Sequence, residues 1–382
     1  MGYGPLPSPC GSVSLPPHEF RQTTPKNDAG LRILRIEAFF SVMALRTGGP
    51  ESPFALGATA VRELERRVES AHERGGVAAV TVPVPADLDV SAAVLAARRP
   101  DDRFFCLEQP ERDSFALAAL GTAALLQARG PARFTELARA QRELASRTVA
   151  GDAGGGDPVG SGPVLVGGFA FAPEGGRSPE WSSLAPAQLV MPEVALVRRG
   201  GEARLTVCVA ADGNRPVERA LARLAELAPA AMPMLDPDPL ERARVAGAAP
   251  PAHYEAAVER AVERIRAGEL EKVVLAREVR VHAGQDLDPA PVLDALRGVF
   301  PACCCYCVGT PEAAFVGASP ELLARREGAR AQTVALAGTT RRSADPAVDD
   351  HLGEQLMLSP KDREEQAIVA RRIQRTLDPM SL

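Results

Sequence analysis

Three residues carry side chains able to do ionic chemistry, and each stands in a local pattern that fixes part of its surroundings: Lys272, Glu321 and Glu365. Lys272 opens the run Lys-Val-Val-Leu-Ala-Arg. That run reads as a strand from Val273 to Val281, with Lys272 on the face it shares with Val274, Ala276, Glu278 and Arg280. A lysine so placed is either solvated on a half-polar face or, with its pKa lowered by burial or a neighbouring cation, a general base near neutral pH. Glu321 follows Gly-Ala-Ser-Pro. Ser319 as an N-cap with Pro320 at the first helical position would make Glu321 an acid that complements a helix dipole. A nucleophile elbow is excluded, because the residue two places after Ser319 is Glu321 and not glycine. Ser359, Pro360 and Asp362 have the form of a capping box, which fixes a helix start. Glu365 then lies on the stripe that runs through Ile368, Val369 and Ile373 and faces inward. A carboxylate pointing into a core is costly unless it is paired or bound to a metal; the alternative is an inward arginine partner, with Glu364 solvated.

The elements that must hold these residues are mixed α and β. Ala55 to Glu73 has helical spacing, Val77 to Val84 reads as a strand, and another follows between Phe104 and Leu107. Strands resume over Val164 to Phe171, Leu189 to Arg198 and Ala203 to Ala210, with lengths and turns suited to antiparallel pairing. The Gly-rich stretch from Gly151 to Pro163 lacks a following Gly-Lys-Ser/Thr and is no phosphate cradle. Tyr254, Val258, Val262 and Ile265 repeat at helical spacing, and Gly268 is placed to end that helix in the left-handed conformation. A short helix over Ala290 to Val299 leads into a strand bearing Cys303, Cys304, Cys305 and Cys307, a further strand ends at Val316, and Thr333 to Leu336 enters a Gly-Thr turn. The first thirty residues are rich in Pro, Ser and Gly, and the chain is expected to divide into a disordered or mis-assigned leader over 1–50, a first half over 51–228, a Pro- and Ala-rich connection over 229–251, and a second half over 252–382.

Bulk properties remove several function classes. At 382 residues with 46% apolar content the chain is long enough for one large domain or two ordinary ones. A net charge of -5 leaves no cationic excess to neutralise a phosphate backbone, so nucleic acid is not an expected partner. The apolar patch Ile36 to Leu45 is too short to span a bilayer, so no membrane association is expected. Seven cysteines is an odd number for a disulfide framework. The cluster after residue 302 lacks paired C-x-x-C spacing and nearby histidines, so it reads as small buried hydrophobes in a protein of the reducing cytoplasm.

Lys272-Val-Val-Leu-Ala-Arg277, Gly317-Ala-Ser-Pro-Glu321, Leu336-Ala-Gly-Thr339 and Ser359-Pro-Lys-Asp-Arg-Glu-Glu365 together resemble, in order and approximate spacing, the chorismate-binding enzymes. The resemblance is strong from about Tyr254 to Leu377 and looser from Asp102 to Val209, where Gly167-Gly-Phe-Ala-Phe171 and Trp181 look like the N-terminal half of isochorismate synthases. It implies an α+β fold like that of anthranilate synthase component I, with large antiparallel sheets and outer helices, lacking its C-terminal part.

In that family the lysine of the Lys-Val-Val-Leu motif activates water. The resemblance therefore implies that Lys272 is the base, that Glu321 protonates the departing C4 hydroxyl of chorismate, that Glu365 is a Mg²⁺ ligand, and that Gly338 and Thr339 contact substrate. The implied activity is isomerisation of chorismate to isochorismate for menaquinone or a catechol siderophore, by a cytoplasmic monomer. Salicylate synthase and a non-catalytic chorismate-binding remnant are the alternatives. Where the family commonly has Glu-His, this chain has Glu365-Gln366. The family's remaining Mg²⁺ glutamates and its substrate-carboxylate arginine and tyrosine correspond to positions after Leu382, so residues 1–382 are expected to be a truncated form, inactive alone.

Overall fold

The computed structural model describes residues 52–151, 157–235, 243–284 and 286–380. The leader expected over 1–50 lies outside them.

Antiparallel pairing dominates. A seven-stranded sheet is built from β1 (Val77–Val84), β2 (Phe104–Gln109), β3 (Phe115–Leu120), β7 (Val194–Arg199), β8 (Glu202–Ala210), β11 (Cys304–Gly309) and β12 (Ala314–Ser319). Its strand order is β1-β8-β7-β3-β2-β11-β12, so the last two strands come from the second half of the chain. A three-stranded sheet, ordered β4-β6-β5, comprises β4 (Ala124–Ala128), β5 (Val166–Phe169) and β6 (Ala187–Met191). Two ribbons complete the β structure: β9 (Arg244–Gly247) with β10 (Val279–His282), and β13 (Arg325–Glu327) with β14 (Arg330–Gln332).

The helices follow from the same patterning. In α1 (Ala58–His72), Leu64, Val68 and Ala71 recur at helical spacing and are buried, and the helix packs on β1. Helices α2 (Val90–Ala96), α4 (Pro216–Leu224) and α6 (Pro289–Val299) cover the same sheet, while α3 (Arg133–Arg147) lies on the smaller one. The main core fills the space between the large sheet and its helices, with Leu64, Val94, Leu120, Leu196, Leu205 and Leu293 fully buried. On the opposite face Phe105, Ala119 and Ala195 of the large sheet meet Val166 and Val190 of the small one. The result is an α+β architecture with stacked antiparallel sheets and outer helices.

The cysteine strand behaves as a pleated strand should. Cys305 and Cys307 are fully buried on one face, Cys304 and Tyr306 are half-buried on the other, and all four cysteines of the cluster are free thiols. The stretch Leu189 to Arg198 is two strands and not one, broken at Pro192, whose missing N–H cannot serve a ladder. The connection expected over 229–251 contains β9, which pairs with β10, and its residues 236–242 lie outside the described residues.

Three helices of the second half, α5 (Pro251–Arg266), α7 (Pro346–Leu358) and α8 (Pro360–Leu377), contain no buried residue. Gly268 ends α5 at φ +74°. Of the strand expected over Val273 to Val281, only β10 forms: residues 273–278 have no hydrogen-bonded strand beside them among the described residues, and Val274 is 81% exposed. Strong β propensity does not make a strand without a partner ladder.

Candidate active site

Helix α8 organises the candidate site. Its start is fixed as the capping pattern predicts: Pro360 is the first helical residue, and the Asp362 N–H donates to Ser359 Oγ at 3.3 Å. Glu365 follows one turn later. It is half-buried, and its carboxylate makes no hydrogen bond or ion pair among the described residues. The inward arginine partner is therefore not found, and neither is full burial, because α8 sits at the surface of the described residues. Arg371 instead pairs with Glu364 at 2.9 Å and with Glu271 at 3.6 Å.

That second pair fixes the neighbour of Lys272 to α8, two turns beyond Glu364. Lys272 itself is half-buried, in non-regular backbone, and free of hydrogen bonds and ion pairs among the described residues. Leu275, three residues on, accepts a hydrogen bond through its carbonyl from the Tyr254 hydroxyl of α5 at 3.4 Å.

Gly338 approaches α8 from a third direction. A Cβ on Gly338 would stand 3.0 Å from the Asp362 Cβ and 3.1 Å from its Oδ1, and the residue has φ +86°. Only glycine meets both demands without strain. Thr339 follows it and is exposed.

Glu321 is also exposed, and the helix that Ser319 was expected to cap does not form. Ser319 ends β12, and its Oγ accepts from the Glu321 N–H at 3.3 Å, a local turn that competes with helix formation. Upstream, a Cβ at Gly317 would lie 2.6 Å from Tyr306 Oη, so this motif's glycine is required by close packing across β11 and β12. Downstream, Thr333 Oγ1 donates to the Leu323 carbonyl at 2.9 Å, and the Val334 N–H donates to the Leu322 carbonyl at 3.4 Å. A shallow hollow of about 230 Å³ then joins Leu323 and Thr333 to Arg372, Ile373 and Thr376 of α8. None of the five predicted site residues lines it.

Two of the four motifs meet on one helix, Gly338 against Asp362 and Glu365 directly; Glu271, beside the first motif, reaches Arg371 at 3.6 Å, and Glu321 is exposed and lines no hollow shared with α8. The family model of the chorismate binding enzymes matches residues 62–382, which takes in all four. This chain belongs to that family.

As a chorismate binding enzyme it is 34% identical over 287 residues to the salicylate biosynthesis isochorismate synthase of Pseudomonas aeruginosa, covering 72% of this chain and 56% of that protein. It is 30% identical over 210 residues to isochorismate synthase MenF of Bacillus subtilis, covering 54% of this chain and 44% of the relative. The chain therefore spans about half the length of these relatives. Among solved structures, MenF, the menaquinone-specific isochorismate synthase from Escherichia coli, superposes with a TM-score of 0.64 at 23% identity, covering 84% of this chain and 68% of that one. That likeness establishes the shared fold.

A Mg²⁺ ion asks for oxygen donors in octahedral array, commonly one or two carboxylates with water and substrate completing the shell. Glu365 has the right donor chemistry and is unpartnered, and Asp362 lies one turn before it. Among the described residues no group of three or more His, Cys, Asp or Glu converges as a closed metal site. What is present fits an open site supplied by one or two protein carboxylates. No described helix is long and apolar enough to cross a membrane.

Sequence reading misses the ion pair between Glu271 and Arg371 and the seat of Gly338 on Asp362. Both join positions far apart in the chain, and neither leaves a local signal beyond the glycine itself.

Proposed function

We propose that the protein is an isochorismate synthase that adds water at C2 of chorismate and expels the C4 hydroxyl. Lys272 takes a proton from the incoming water as its oxygen bonds to C2. The ring double bonds shift, the C4–O bond breaks, and Glu321 gives a proton to the departing hydroxyl, which leaves as water. One water enters and one leaves, so the reaction is an isomerisation. A positioned base and a positioned acid each supply on the order of 10²–10⁴-fold. Gly338 and Thr339 offer a turn whose backbone can approach the substrate closely. Mg²⁺, held by Glu365, would supply electrostatic stabilisation at the substrate's ring carboxylate.

The observation that carries this reading is the seat of the Gly338 turn on Asp362 of α8, one turn before Glu365, with Glu271, the neighbour of Lys272, ion-paired to the same helix. Lys272 favours water over ammonia as the nucleophile, since the family's aminating members have a different residue at this place in the motif. The names of the relatives, from salicylate biosynthesis and from the MenF group, support the same chemistry.

The test is product analysis. Protein made from the complete reading frame, incubated with chorismate and Mg²⁺, is expected to yield isochorismate. Salicylate with released pyruvate would point instead to salicylate synthase. Absence of any chorismate conversion, with the protein folded, would overturn the proposal.

A further inference from the structure

Away from α8, a cavity of about 320 Å³ opens between α4 and the ends of β7 and β8. Its lining includes the apolar Val194, Val207 and Ala220 and the charged Arg219, Glu193 and Asp212. The volume falls at the lower end of the roughly 300–1,000 Å³ typical of ligand pockets.

Two of its charged groups have no side-chain partner among the described residues. The Glu193 carboxylate is half-buried, follows Pro192 at the break between β6 and β7, and makes no hydrogen bond or ion pair among the described residues. It also stands against Gly121, where a Cβ would lie 2.4 Å from Oε2, so the backbone there has yielded room to it. Arg219, on the exposed face of α4, likewise has no side-chain partner among the described residues. The other two arginines of the cavity are ion-paired: Arg223 pairs with Asp102 and with Glu226 at 2.6 Å, its buried Nε alone lacking a partner, and Arg99 also pairs with Glu226. A half-buried carboxylate without a donor is costly, and burial pushes Glu193 above its ordinary pKa.

We propose that this cavity binds a small carboxylic acid with an apolar body and a hydrogen-bond donor beside its carboxyl group, Arg219 taking the carboxylate and Glu193 the donor. A plain anion would leave Glu193 unsatisfied and meet its repulsion. A metal cation would face three arginines against only the two carboxylates of Glu193 and Asp212. Hydroxy acids and amino acids share the required chemistry, and a matched set of probes separates them.

The experiment is calorimetric titration of the protein with 3-phenyllactate, phenylalanine and 3-phenylpropionate, which differ only in the group next to the carboxylate. Saturable binding of phenyllactate or phenylalanine is expected, at least tenfold tighter than phenylpropionate, with whichever binds tighter naming the donor as hydroxyl or ammonium. R219A and E193Q, both at positions that are not fully buried, are each expected to weaken that binding at least tenfold with an unchanged circular dichroism spectrum. No saturable binding of either donor-bearing probe up to 10 mM, equal binding of phenylpropionate, or binding unaffected by both variants would overturn the proposal.

Discussion

Gly338 approaches Asp362, in the first turn of α8, so closely that a Cβ at position 338 would sit 3.0 Å from that of Asp362. The close approach ties the Leu336–Thr339 turn to the helix that carries Glu365. It holds only while residue 338 has no side chain and keeps φ +86°.

Gly338→Ala should therefore destabilise the protein by about 1–3 kcal/mol, since a left-handed conformation costs a non-glycine residue this order of energy. The crowding against Asp362 adds to it. Urea unfolding monitored by circular dichroism measures the loss, and an unchanged midpoint would show that the turn relaxes freely. If Gly338 meets substrate as proposed, KM for chorismate should rise in the same variant.

Arg297 on α6 fastens the second half of the chain to the first. Its guanidinium donates to Asp89 at 2.6 Å, Glu108 at 2.8 Å and Asp294 at 2.7 Å, and Glu108 is only 3% exposed. Removing the cation by Arg297→Met leaves a buried carboxylate without its partner, which typically costs about 3–5 kcal/mol. The double variant Arg297→Met with Glu108→Gln should recover part of that loss. Equal stability of the single variant and the native protein, in the same urea assay, would contradict the role assigned to the pair.

The same cluster predicts an acid limb. Burial alone would raise the pKa of Asp89, but Arg297 and the Ala92 N–H favour its charged form more strongly and hold it below the ordinary value of 3.8. A group whose folded pKa is depressed stabilises the fold above its unfolded pKa, and that stability is lost as pH falls through the folded value. Stability attributable to Asp89 should thus be constant above about pH 5 and decline below about pH 4. In Asp89→Asn the decline should be shallower, as urea midpoints between pH 3 and 7 would reveal.

Cysteine reactivity should follow the pleat of β11. Burial pushes Cys307 and Cys208 up to about 12 and Cys305 up to about 11, and it also raises Cys106. Thiolates do the reacting, so among the described cysteines these four should resist a disulfide reagent at pH 8, while half-buried Cys303 reacts first and Cys304, half-buried but also raised by burial, follows it. Mass mapping of labelled peptides checks the order. Fast labelling of Cys307 in the native protein would mean that β11 opens locally.

Much of this fold is legible in the residues, and the failures have physical causes. β1, α6 and the start of α8 were readable because period and capping agree locally, as at Val77–Val84 and at Ser359. β3 and β4 escape sequence reading: Phe115–Leu120 and Ala124–Ala128 are alanine-rich, and alanine gives no period-2 contrast. The run after Lys272 looks like a strand and is not one over residues 273–278, because pairing belongs to the neighbouring ladder and not to the run itself. Glu365 reads as inward from its helical stripe, yet α8 leaves it half-buried, since a stripe predicts a face and not what covers it. The motifs at Lys272, Glu321, Gly338 and Glu365 were visible as residues; the seat of Gly338 on α8 and the pairing of Arg371 with Glu271 were not, because both join positions far apart in the chain.

Lys272 is the sharpest test of the proposed chemistry. It is half-buried, adjacent to the Glu271 that binds α8, and free of any partner that would hold its proton in place among the described residues. In the full-reading-frame protein, Lys272→Ala should lower kcat by about 10²–10⁴-fold while leaving Mg²⁺-dependent binding of chorismate measurable, because a base acts on the water and not on the bound ring. Lys272→Arg should be equally impaired, since a guanidinium keeps its proton at neutral pH. A merely structural lysine would instead tolerate arginine and show its loss in stability. Retained turnover in Lys272→Ala, measured by isochorismate formation under saturating substrate, would remove the base from the mechanism and with it the reason for preferring water as nucleophile.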